Sequence, residues 1–206
     1  MKSFSRNQIL AVVGAFLFGV FLLVALRFIT YKDTSLHYHA NFAVFVDNER
    51  LALDNFTFYE EVQSCSSDNA GNPRTRVHMH DQVNNIAHVH DSGATWGHFF
   101  ANIGMTAGDT LFKTDKQTYV EGQNNVNIRY LLNDKEVQTI ANRTIESEDT
   151  LLISIGNPTD KKLQEQYSQI NSNAKEYNQK PDPSSCSGGQ PEGFWPRLKQ
   201  AFGFTS

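Results

Sequence analysis

Six of the seven histidines in this chain fall into three H-x-H pairs, His37-Tyr38-His39, His78-Met79-His80 and His88-Val89-His90; the seventh is His98. On an extended strand, side chains alternate between faces, so residues i and i+2 point the same way roughly 7 Å apart. Each pair therefore presents two imidazoles on one face, close enough to grip one ion. Imidazole is the commonest metal ligand and suits zinc, copper, iron and nickel. A lone H-x-H arises often on solvated strands. Three between residues 37 and 90, with no histidine before 37 or after 98, point to a metal site.

Two pairs supply four nitrogens, enough for a closed tetrahedral zinc site or a tetragonal copper(II) site. One pair plus a further histidine leaves a coordination position open for water or substrate, the arrangement of catalytic zinc. The expected ligands are His37, His39, His78, His80, His88 and His90, in one or two sites. His98 either completes a site with His88 and His90 or is an ordinary surface histidine. Asp81 and Asp91 directly follow a pair, in HMHD and HVHD. Each either orients an imidazole, binds metal itself, or simply starts a turn. Met79 and Met105 are soft donors for copper(I), but on a regular strand Met79 faces away from His78 and His80 and reads as core. Copper is preferred over zinc as the bound ion, because no cysteine neighbours the histidines and all-nitrogen sites favour copper in affinity. No catalytic residue is assigned.

The elements that must position these side chains are mainly β. Residues 36–47, LHYHANFAVFVD, alternate between a face with His37, His39, Asn41, Ala43 and Phe45 and a face with Tyr38, Ala40, Phe42, Val44 and Val46. Asp47-Asn48-Glu49-Arg50 reads as a hairpin turn into a second strand over 51–59. Short strands near 76–80 and 86–90, joined by the polar DQVNN, form a hairpin that sets the second and third histidine pairs side by side. Residues 95–102 read as a short helix with Thr95 as N-cap and Gly104 as its stop. Further strands are expected near 110–113, 117–120, 125–132, 135–140 and 150–155, with Asn133-Asp134 as a turn. The fold class is mainly β, all-β or α+β, with a small antiparallel sheet. Residues 158–178 read as a polar, solvated helix on the domain's edge, followed by a Pro/Ser/Gly-rich linker and an aromatic, basic tail.

The N-terminus bounds the location. Residues 9–26, ILAVVGAFLFGVFLLVAL, are uninterruptedly apolar, about the length needed to cross a bilayer as a helix. Without an A-x-A-like cleavage site, the segment reads as an uncleaved signal anchor spanning residues 8–29. Lys2 and Arg6 precede it and Arg27 and Lys32 follow. The expected orientation puts the N-terminus inside and the soluble domain outside the cytoplasm. The expected domains are a 1–30 anchor, a 31–157 histidine-rich β domain and a 158–206 extension. Cys65 and Cys186 lie far apart, a spacing unlike a thioredoxin-type motif, and are able to pair in an oxidising compartment. A net charge of −4 gives no sign of nucleic-acid binding.

The segments LHYHANFAVFVDNE, VHMHD, IAHVHDSGATWGHFFANIG and DPSSCSG resemble a group of single-span, membrane-anchored proteins of candidate-phylum bacteria. A looser likeness extends to archaeal H-x-H proteins. That resemblance implies the anchored architecture and no particular activity. The run IESEDTLLISIG is similar to the acidic turn and final buried strand of small β-grasp domains. Paired H-x-H also resembles multicopper oxidases and Cu/Zn superoxide dismutase, but the chain has three pairs where the oxidases use four, lacks a Cys-His blue-copper set, and lacks the dismutase's other motifs. No catalytic role is carried over. The leading expectation is therefore a membrane-anchored, extracytoplasmic protein that sequesters, delivers or senses copper or zinc, with no protein partner identified. The alternatives are a metalloenzyme with an open histidine-ligated site, hydrolase or oxidoreductase, and a histidine-based pH-sensitive interaction module.

Overall fold

The computed structural model describes residues 5–30, 37–59, 73–80 and 82–180, together with Trp195, Leu198 and Phe202. Asp81, Cys65, Cys186, the linker and most of the tail lie outside the described residues, as does most of the 64–75 loop. The chain forms two compact units, residues 1–34 with 190–206 and residues 35–189.

In the first unit, helix α1 (Arg6–Thr30) begins at a reciprocal cap: the Gln8 N–H donates to Ser5 Oγ at 3.3 Å and the Ser5 N–H to Gln8 Oε1 at 2.9 Å. None of its residues is buried, and its most apolar window has a mean hydropathy of 3.0. At about 1.5 Å per residue the helix is about 37 Å long, against a hydrocarbon core of about 30 Å. It is long and apolar enough to cross a membrane. The basic residue of its last turn, Arg27, complements the negative end of the helix dipole.

The second unit is built on a mixed sheet whose strands run in the order β3 (Val77–His78), β4 (Ile86–Val89), β1 (Tyr38–Val46), β10 (Thr150–Gly156), β8 (Asn127–Leu132), β9 (Lys135–Val137). Strand β2 (Glu49–Arg50) pairs with β1. All these pairings are antiparallel except that of β1 with β10, which is parallel, with Asn41 opposite Thr150 and Val46 opposite Ile155. Of the three expected hairpins, β3 and β4 pair antiparallel as the one that carries the second and third histidine pairs, and the turns at Asp47-Asn48 and Asn133-Asp134 make the other two. Asp47 and Asn48 have φ of 50° and 70°, Asn133 and Asp134 of 52° and 62°, the left-handed pair that matches strand twist and that Asn and Asp tolerate. A small antiparallel sheet of β5 (Thr106–Ala107), β6 (Leu111–Lys113) and β7 (Thr118–Val120) stands apart. The expected strand over 51–59 does not form. After Leu51 pairs with Val44, the Asn55 side chain accepts the Thr57 N–H and caps a 3-10 turn at Phe56–Phe58, a local bond that displaces strand pairing.

The main core lies on one face of the sheet. Tyr38, Ala40, Phe42 and Val44 of β1 meet Met79, Val89, Leu151 and Ile153 and the aromatic face of helix α2 (Trp96–Asn102), whose Trp96, Phe99 and Phe100 are fully buried. Met79 and Met105 both belong to this core. The opposite face is covered as well, and here the structure corrects the expectation of a solvated helix. Ala43 and Phe45 of β1, with Leu131 and Leu152, pack under Leu163 of helix α3 (Asp160–Ser168) and under Ile170, with Tyr167 beside them. Leu163, Tyr167, Ile170 and Ala174 form a narrow stripe at helical spacing in an otherwise polar segment. A sheet whose second face carries Phe45 and Leu152 needs such a cover.

Candidate metal centre

Three adjacent strands build the site. In the β1–β4 register His39 lies opposite His88, and in the β3–β4 register His78 lies opposite the same His88. Directly opposed residues of an antiparallel pair have Cβ atoms about 4.5–5.5 Å apart, so His78, His88 and His39 form a row across the sheet on the face away from the main core. Two-residue alternation adds His37, His80 and His90 to that face. His88 is the hub: its ring centroid lies 4.2 Å from His39, 3.5 Å from His80, 6.0 Å from His37 and 6.1 Å from His78. His90 lies 5.0 Å from His37 and 5.3 Å from His78. All six paired histidines thus form one contiguous cluster.

Within it, His37, His39 and His88 each offer a ring nitrogen, the three lying within 4.8 Å of one another, and this group can hold a metal ion. His39 and His88 are 1% and 2% exposed; His37 is half-buried. The convergent trio takes one whole pair and half of another, across two strands. Intra-strand pairing alone does not produce it.

The hydrogen bonds around the trio fix how its lone pairs are held. The backbone N–H of His39 donates to the Asn178 side-chain oxygen at 2.8 Å, which identifies that atom as an acceptor. His39 Nδ1 lies 2.8 Å from the same oxygen, so it must carry a proton, and the neutral ring keeps its lone pair on Nε2. That Nε2 faces His88 Nδ1 at 2.9 Å. The His78 Nδ1–H likewise donates to the Arg74 carbonyl at 3.1 Å, leaving its lone pair on Nε2. Imidazole held through its second nitrogen by a carbonyl or amide oxygen is the usual support of a metal ligand. The His39 carbonyl in turn accepts the Glu148 N–H at 2.8 Å, so the residue is gripped on both sides.

The surroundings keep His39, His88 and His90 neutral. Burial, with His37 and His80 adding repulsion, pushes His39 down to about 4 despite its bond to Asn178. Burial and the neighbouring His78 push His90 down to about 3. His88 is pushed down in the same way, by burial and then by His80. Neutral imidazole is the form that ligates. His88 Nε2 and both ring nitrogens of His90 are shielded from solvent with no hydrogen-bond partner among the described residues. Buried polar atoms are almost always satisfied, and a cation is one group to which the single lone pair of each neutral ring can donate.

Two other expected site residues, His98 and Asp91, are held by local hydrogen bonds. His98 is exposed at the start of α2, where its Nδ1 accepts the Thr95 N–H and Thr95 Oγ accepts the His98 N–H, both at 3.2 Å. Asp91 opens a turn, its Oδ1 accepting the Gly93 N–H at 2.8 Å, while Oδ2 stands 3.5 Å from Arg76 Nε. Asp81 lies outside the described residues. The residues that the sequence did not flag are Asn178, which bonds His39, and Tyr177, whose ring lies 5.6 Å from His39 and 6.3 Å from His88. Both belong to the end of helix α4 (Ala174–Tyr177) and its C-cap, in a polar stretch with no local pattern to mark them.

No protein family, curated protein sequence or solved structure matches the chain. The functional reading therefore stands on the geometry of the cluster.

Proposed function

We propose that the chain is a membrane-anchored protein, the architecture its motifs resemble, that binds metal and holds copper in preference to zinc on its extracytoplasmic domain for sequestration, delivery or sensing. The observation that carries this is the convergence of His37, His39 and His88, with the lone pair of His39 directed inward by Asn178. The remaining paired histidines, His78, His80 and His90, supply further nitrogens beside the trio. The donor set of the trio is all nitrogen, which favours copper in affinity. Helix α1 supplies the anchor.

The test is elemental analysis of the full-length protein in detergent, without affinity histidines, after chelation and reloading with equimolar copper and zinc. About one ion or more per chain, mostly copper, is expected, and its loss in a His39→Ala/His88→Ala variant. A wild-type protein that retains neither ion overturns the proposal.

A second reading, a metalloenzyme, draws on the ligand count: three histidines leave a coordination position open. Azide binding to the copper-loaded protein, seen as a new visible absorption band, marks such a position; a spectrum unchanged by azide rules it out. The pH-sensing reading expects buried imidazoles whose ring nitrogens do not converge, and the convergence of His37, His39 and His88 favours ligation over it.

A further inference from the structure

We infer that Asn178 is a positioning residue of the metal centre, and that through it the C-terminal segment, residues 160–180, is coupled to metal loading. The inference deepens the metal-binding reading and rests on it.

The segment reaches the site at three points along the ligand-bearing strand. Leu163 and Ile170 cover Ala43 and Phe45. The Ala174 N–H donates to the Asn41 side-chain oxygen at 2.8 Å, two residues from His39 on the same face. Asn178 then takes both the backbone N–H and the Nδ1–H of His39, each at 2.8 Å, and its own amide donates to Ser147 Oγ at 3.1 Å. The Ser147 bond and the two accepted bonds leave the Asn178 amide one orientation. The oxygen faces His39, so the Nδ1–H tautomer is selected and Nε2 is the ligating atom. Without Asn178, the ring is free to take the other tautomer, to rotate about χ2, or to turn toward solvent once the segment lifts. Tyr177, against both His39 and His88, closes the same side with an aromatic wall.

Asn178 therefore stabilises the metal-competent form of His39 only when the segment is seated. By linkage, whatever factor seating adds to metal affinity, metal adds to seating. The segment acts as a strap whose closure and whose ion stabilise each other.

The experiment uses the full-length protein in detergent, with copper(II) as the probe, and two variants, Asn178→Ala and Asn178→Asp. Outer-shell partners of ligating imidazoles typically contribute 10–100-fold in affinity, so Asn178→Ala is expected to weaken copper binding roughly 10–100-fold. Asn178→Asp retains an oxygen that accepts both N–H groups and is expected to bind at or above the wild-type level. In the metal-free protein, nitrogen-15 NMR of the imidazoles is expected to show His39 as Nδ1–H in wild type and Asn178→Asp, and as a mixture or Nε2–H in Asn178→Ala. Copper is expected to slow limited proteolysis within residues 160–180 in wild type and to protect Asn178→Ala less. Equal affinity and the same tautomer in wild type and Asn178→Ala overturn the inference, as does proteolysis indifferent to copper. A wild-type protein that binds no copper defeats the function proposed above; the tautomer measurement, made without metal, still decides whether Asn178 positions His39.

Discussion

At the scale of single residues, an H-x-H pair fixes only that two imidazoles share a face. What they do there depends on what the neighbouring strand presents. His39 is a candidate ligand because His88 lies across from it and Asn178 holds its other nitrogen. His98 has the same ring, but its Nδ1 satisfies the Thr95 N–H at the start of α2, away from the cluster. A His98→Ala variant is therefore expected to keep the wild-type metal content. It loses half of a reciprocal cap, a device worth about 0.3–1.5 kcal/mol. Elemental analysis alongside a denaturant melt of the chelated protein checks both parts. Metal loss in this variant would place His98 at the centre after all. The histidine pairs themselves were plain in the sequence, because the residue type and the spacing of two are local. The assignment of His37, His39 and His88 to one group was not, because it depends on registers between strands that sequence spacing leaves open. Asn178, which stands 139 positions from the ring it orients, carries no chemical mark of its role.

At the scale of elements, the hairpin turns at Asp47-Asn48 and Asn133-Asp134 and the capped helix α2 were legible because each is encoded by a few adjacent residues. The role of residues 160–178 was not. The segment is polar by composition, and its stripe of Leu163, Tyr167, Ile170 and Ala174 is too narrow to announce what it covers. Alternation in β1 put Ala43 and Phe45 on the face of His39, but only the pairing of β1 with β10 adds Leu152 and makes a patch wide enough to need a cover. Leu163 is 3% exposed, and truncating a buried leucine costs about 2–5 kcal/mol. Leu163→Ala is expected to destabilise the domain by an amount toward the lower end of that range, since α3 lies over a single face. If α3 is a dispensable appendage, the denaturation midpoint will not move.

At the scale of the whole molecule, the neutral cluster makes stability depend on pH. The folded-state values of His39 and His90, about 4 and about 3, lie below the roughly 6.5 of an unfolded chain. Between those limits the unfolded chain binds more protons than the folded one, so stability rises with pH there and is lost as the pH falls. The chelated protein is expected to hold a steady denaturation midpoint from pH 8 to about 6.5 and to weaken progressively toward pH 4. A midpoint that is flat or improves on acidification contradicts the neutral cluster. The parallel partnership of β1 and β10 has a further consequence, for the order in which the chain is made. Strand β1, with the first histidine pair at its start, is synthesised early, yet one of its two long edges has no partner until residues 150–156 exist. Closing so long a loop is slow relative to local hairpin formation. The emerging chain therefore carries its first histidine pair in an unfinished sheet, and the cluster that can hold an ion, with Asn178 against His39, is complete only once synthesis has passed that residue.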